Sequence, residues 1–359
     1  DALARVEFAR GFSQHKAFDA AAQTASTRYA LALTRLAAAL GADSATGAAF
    51  RERFALDLVP EAPTGPSMGT AELKPGRRVF VDALFDARAN VFLRLAPYAA
   101  SGAFGDAPGG LLRARVAPLA AHHVSHPSPA RARAAHVALA AVFRAAPGDT
   151  VPEFFPPYVE RSLERLYDVS VGAPASSAEA AEAGGAGGLA GALSEFTESS
   201  DSEAFAATVF VVAECGGGTA ESRAAVAAAA RALVERAARL DAAARAQAAR
   251  GEKAVSRRNE KNARTLRRLV FSSLPLVDHA LVPDVQRAAE EAVLRCADFA
   301  ARGSRGLKAK TESEGEGGGG EPSPRLAAYA DLARSVMAIG DVARKGAATR
   351  WALQLRARI

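Results

Sequence analysis

The sequence has little of several things that would give a function away. Two cysteines among 359 residues exclude a disulfide scaffold. Cys215 and Cys296 stand too far apart to suggest a metal pair or a redox dithiol. Both are expected to be buried thiols in a reducing compartment. No apolar run approaches the length of a membrane-spanning helix, so the chain is expected not to cross a bilayer. Aromatic residues make up only 6% of the chain, with a single tryptophan. Strand signals are nearly missing, and residues 208–212 (Thr-Val-Phe-Val-Val) form the one β-like run. The 30 glycines and 18 prolines cluster without a period, which excludes collagen and a wholly disordered chain alike.

What is present is alanine, roughly a quarter of all residues. Alanine costs least in a helix but buries little area, so the composition favours helices strongly and deep cores weakly. Helical periodicity is expected over 1–41, around 50–58, and over 77–100, 111–124, 130–146 and 158–169. It returns over 220–250, 254–273, 275–301 and 326–355, the last interrupted near Gly340 or Gly346. Prolines and glycines at 60–76, 102–110, 125–129 and 147–157 punctuate the series. Two Ala/Gly/Ser/Glu-rich stretches bury too little to offset their ordering entropy and read as flexible. The organisation is then an N-terminal helical block (1–170), a flexible insertion (171–203), a second block (204–301), a linker (302–324) and a C-terminal helix or helix pair (325–359). Helix, tight proline turn and antiparallel helix is how stacked hairpins are built. The expected fold class is all-α, an irregular α-solenoid of the HEAT/ARM kind.

Formal net charge is +6, from 45 basic and 39 acidic residues. Residues 251–268 hold seven basic side chains against two acidic ones, so this one segment carries five of those six charges. Lys253, Arg257, Lys261, Arg264 and Arg268 are spaced by four, four, three and four, which aligns them on one helical face. An ordinary solvated face is one reading of such a stripe. The others are an acidic protein partner, or phosphate in RNA or on an anionic membrane surface. No aromatic interrupts the stripe to stack on bases, which disfavours nucleic acid.

Chemistry-bearing motifs are incomplete. Gly216-Gly217-Gly218 ahead of a helix could cradle a phosphate on backbone amides. The lysine-hydroxyl pair of a P-loop and the spacing of a dinucleotide fingerprint are both missing, and no further strands would build the sheet such sites need. A glycine joint between two helices is the preferred reading, with a nucleotide-binding enzyme as the alternative. His122, His123, His126 and His136 cluster in sequence, and His122 and His126 stand at ligand spacing on a helix. No cysteine lies near them, and His126 falls in the proline turn, where a histidine commonly ends a helix. Neighbours such as Glu290 and Glu291 point to different faces and make no acid-base pair. No catalytic residue, cofactor or metal site is expected.

Two stretches carry a resemblance. Ser125-His126-Pro127-Ser128 leading to His136-Val137, then Pro156-Pro157-Tyr158-Val159-Glu160-Arg161-Ser162-Leu163, resembles a helical-repeat family of plants and green algae. Leu274-Pro-Leu-Val277-Asp278-His279-Ala-Leu281-Val-Pro283 is similar to a downstream helix pair of that family. The arrangement also resembles, more distantly, peroxin 8, which works in peroxisomal matrix import. The resemblance implies an interaction scaffold for other proteins in organelle biogenesis or protein import. The chain departs from the pattern in its triple glycine, and it ends Arg358-Ile359 rather than in a peroxisomal signal. The expected setting is intracellular and cytoplasmic, with peroxisome association implied by resemblance alone. The chain opens on Asp1, so its natural N-terminus is expected upstream. Partner contacts are expected at the basic stripe and at the turn holding His126 and, just beyond it, Arg131, because turns on a rigid stack are where such proteins bind.

Overall fold

The computed structural model describes residues 31–32, 35–36, 38–39, 88–98, 100, 112–126, 129–167, 187–296 and 323–359. Among these the regular elements are all helical, and none is a strand. Most of the helix expected over 1–41 lies outside the described residues. So do the helix at 50–58, the loop at 60–76 and the breaks at 102–110 and 302–322. Two compact units are defined, Asp1–Ser162 with Ala192–Val212, and Leu163–Gly191 with Ala213–Ile359.

In the first unit a π-helical turn, Leu112–Val116, leads into α1, Ala117–His123, followed by α2, Pro129–Ala145, and α3, Pro147–Leu166. α3 differs from the expected start at residue 158: it begins at Pro147 and runs through Pro152, Pro156 and Pro157. Interior proline removes an amide donor and leaves a carbonyl bare. Here Val151, Phe155, Tyr158 and Val159 turn inward, while the three prolines lie on partly or fully exposed positions. Water can reach the freed carbonyls there, so burial of the opposite face carries the helix. Phe143, Phe155 and Tyr158 pack with ring centroids 5.7 to 6.2 Å apart, and Phe205 of α4, Gly187–Cys215, closes on Tyr158 at 5.8 Å.

α4 corrects two expectations. It begins inside the segment read as a flexible insertion, and it makes a helix of the β-like run 208–212. Leu189, Leu193 and Phe196 recur at helical spacing within that low-complexity stretch. Further on, Phe205, Thr208, Val209 and Val212 are buried, Thr208 and Val209 standing three and four residues after Phe205 and Val212 three after Val209. Their packing outweighs the local β-preference of valine, which is a weak bias.

The second unit is built on α5, Ala220–Ala249, and α6, Lys253–Ser273, packed as an antiparallel hairpin. Thr219 caps α5 by accepting from Ser222 N at 3.1 Å. Gly251, at φ 82°, reverses the chain, and the amides of Gly251 and Glu252 close onto the carbonyls of Ala248 and Gln247. Ala225, Ala229, Leu233, Ala237, Leu240 and Ala244 form the buried edge of α5. After a 3-10 turn, His279–Leu281, α7 spans Val282–Leu294, shorter than the expected 275–301. α8, Pro324–Met337, and α9, Val342–Arg356, are separated at Gly340, one of the two expected break points, while Gly346 stays helical. Cys296 is buried and Cys215 half-buried, and the two form no disulfide.

Candidate functional site

α6 forms because apolar and cationic residues alternate at helical spacing, and its two faces do different work. Leu266, Leu269, Val270 and Phe271 enter the core. Arg267 follows them inward and donates from Nη1 to Asp241 Oδ2 of α5 at 2.5 Å, with side chains 10% and 9% exposed. Burial pushes the Asp241 carboxyl above its ordinary range, and the Arg267 guanidinium pulls it part of the way back. Two turns nearer the hairpin bend, Asn259 Nδ2 donates to Gln247 Oε1 at 2.7 Å in a buried amide pair.

The five aligned cations do not form one surface. Arg264 and Arg268 reach across to Asp331 of α8, at 3.1 Å and 2.9 Å, and Arg334 joins the same carboxylate from the next turn of α8. Asp331 is 4% exposed, so this cluster docks α8 on α6. Lys253, Arg257 and Lys261 are exposed and make no ion pair among the described residues. They remain as a row of three cations, one turn apart. The sequence shows Asp331 as an acid on an otherwise apolar helical face, but not which cations it meets, since they lie 67 and 63 residues away.

His126 sits just beyond the end of α1, so it does not share a helical face with His122. Its Nε2 lies 2.7 Å from Arg131 Nη1 of α2. A guanidinium can only donate, so His126 accepts at Nε2 in this contact. The two expected contact residues of this turn are thus joined to each other. His136 is buried and shares a 2.7 Å hydrogen bond from Nδ1 with the Tyr158 hydroxyl. Burial pushes the Tyr158 phenol well above its ordinary value, against smaller opposing pulls from Thr208 and Ser162. Among the described residues no three His, Cys, Asp or Glu side chains gather closely enough to hold a metal ion.

The triple glycine joins α4 to α5. Gly217 is buried, and a Cβ built on it would lie 2.4 Å from Asp278 Cγ. Asp278 is held in turn by its amide on Ala213 O and by its Oδ1 accepting from Ala280 N. Arg223 donates to Gly217 O at 3.0 Å. A carboxylate therefore rests against the loop where a phosphate would have to approach. The glycine serves close packing.

A cleft of about 550 Å³ opens in the second unit, between the start of α7 and α9. Its walls are Leu274, Val282, Pro283, Ile339 and Trp351, with His279, Gln286 and Arg344 among the polar groups at its lining. Arg344 stands in the first turn of α9, where Asp341 Oδ1 caps its amide at 2.6 Å, and its Nη2 donates to Leu274 O. α9 turns Ala343, Ala347 and Ala348 toward the gap, side chains too short to fill it. Sequence reading passes over this site because a space is defined by what its neighbours fail to reach. The alanine stripe beside Trp351 was the available signal.

These features define an all-helical protein in which much of the strongest charge pairing serves packing, with a cationic row and a half-apolar cleft left open. No helix among the described residues is long and apolar enough to cross a membrane. Comparison with protein-family models, curated proteins and solved structures finds no match.

Proposed function

We propose that this protein is a non-catalytic scaffold of stacked helical hairpins, of the α-solenoid kind, that binds acidic surfaces of other proteins. The supporting observation is the row of Lys253, Arg257 and Lys261, exposed and unpaired among the described residues. These cations stand on a helix whose opposite side is fastened by Arg267–Asp241 and Asn259–Gln247. A rigid cationic row steers an anionic partner and sets its orientation, while its solvation keeps the contribution of each charge small. The implied work in organelle biogenesis or protein import belongs to this same reading, as the setting in which such a scaffold would hold its partners.

The test is affinity capture with the full chain against a Lys253→Gln, Arg257→Gln, Lys261→Gln variant. Captured proteins with acidic surfaces that the variant loses, and that survive nuclease treatment, are the expected result. An identical set from both chains sinks the reading, and capture that disappears with nuclease favours RNA. The nucleotide alternative is opposed by the Asp278 carboxylate at Gly217. A rise of several degrees in Tm with ATP or NAD would revive it.

A further inference from the structure

The cleft between α7 and α9 has a chemistry of its own. Its volume of about 550 Å³ falls inside the range of roughly 300–1,000 Å³ typical of ligand clefts. One wall is apolar and includes Trp351, half-buried and the single tryptophan of the chain. Arg344 is held by Leu274 O, yet it makes no ion pair among the described residues. A guanidinium that is already positioned loses little further freedom when a carboxylate arrives, and it can receive that carboxylate with two parallel hydrogen bonds.

The surrounding charge has the same sign. Residues 342–359 contain Arg344, Lys345, Arg350, Arg356 and Arg358 and no acid. Arg356 lies over the Tyr329 ring and Arg358 pairs with Glu290, whereas Arg350 makes no ion pair among the described residues. Asp341 at the lining is the exception, and it disfavours a second carboxylate at its own end. Val342, next in sequence to the lining residues Asp341 and Ala343, is 85% exposed. An apolar wall in a cationic setting suits a chain that carries an apolar and an acidic side chain side by side.

We infer that this cleft binds an acidic peptide segment of a partner protein, its aromatic or long aliphatic side chain against Trp351 and an adjacent carboxylate on Arg344. The inference rests on the scaffold reading and adds the chemistry of one partner contact. It is tested by panning a random peptide library displayed on phage against the full-length chain. Recovered peptides should pair an apolar residue with a neighbouring Asp or Glu and should shift Trp351 emission.

Ala347→Phe fills the cleft from an exposed position, so it should leave Tm unchanged while weakening those peptides at least about tenfold. Arg344→Glu should weaken them similarly. Peptides that leave the tryptophan emission unmoved, peptides that bind Ala347→Phe as tightly as the parent, or a library that yields no binder would each overturn the inference. Binders lost only by the triple Gln variant would overturn the cleft while leaving the scaffold reading intact.

Discussion

Gly217 and Asp241 show how single positions here are held by what stands opposite them. A Cβ at Gly217 meets the Asp278 Cβ and Cγ, which sit near their own backbone and cannot swing clear. Gly217→Ala should therefore cost about 1–3 kcal/mol, read as a lowered denaturation midpoint. Gly218→Ala, with open space around it, should stay within about 0.5 kcal/mol of the parent. Asp241→Ala removes the carboxyl altogether, strands a buried guanidinium without an acceptor and should cost about 3 kcal/mol. Its pH signature is distinct. Asp241 binds its proton more tightly folded than unfolded, because burial raises it beyond what Arg267 offsets. Its contribution to stability is thus fully present below the ordinary carboxylate pKa and lost as pH rises through the raised value. Urea midpoints followed upward through that window should fall in the parent, and the fall should be smaller in Asp241→Ala.

At the scale of elements, Asp331 is the post on which α8 is moored to α6. Asp331→Asn keeps the shape and removes the charge that Arg264, Arg268 and Arg334 share. Because those arginines are half-exposed or more, the expected loss is about 2 kcal/mol rather than the full value of a buried pair. Hydrogen exchange should quicken across 324–356 and change little in α5. An α8 whose protection is unaltered would show that apolar contacts alone hold it. The helices themselves were largely legible in the sequence: α2, α5 and α6 lie within a residue of their periodic patterns, and the break at Gly340 was visible. Local rules failed where tertiary packing overrode them, as with the prolines inside α3 and the valines inside α4. The cationic stripe was legible as an alignment. Its division between docking and surface was not, since the partner of Arg264 and Arg268 lies far along the chain.

Across the whole molecule, charge is an account of what remains after packing. Three cations of the basic segment, Arg264, Arg267 and Arg268, are tied to Asp331 and Asp241. The surplus is left on side chains such as Lys253, Arg257 and Lys261, where it can act at a distance. The Gln replacements in the capture experiment are chosen for this reason. Changing the three residues to Glu would bring the formal charge from +6 to zero and invite precipitation. Gln leaves about +3, and because all three side chains are exposed Tm should not move. Loss of capture with an unchanged Tm would locate the effect on the surface.

The alanine-lined face of α5 has one more consequence. Between Leu233 and Leu240 and on either side of them the buried edge offers only methyl groups, which give little relief along the helix axis against a shift of one turn. Asp241–Arg267 and Gln247–Asn259, nested about the bend, are what make the two alignments unequal. Slippage by a turn would leave four polar side chains dry and without their mates. The hairpin owes its tightness to alanine, but it owes its single setting to those two pairs.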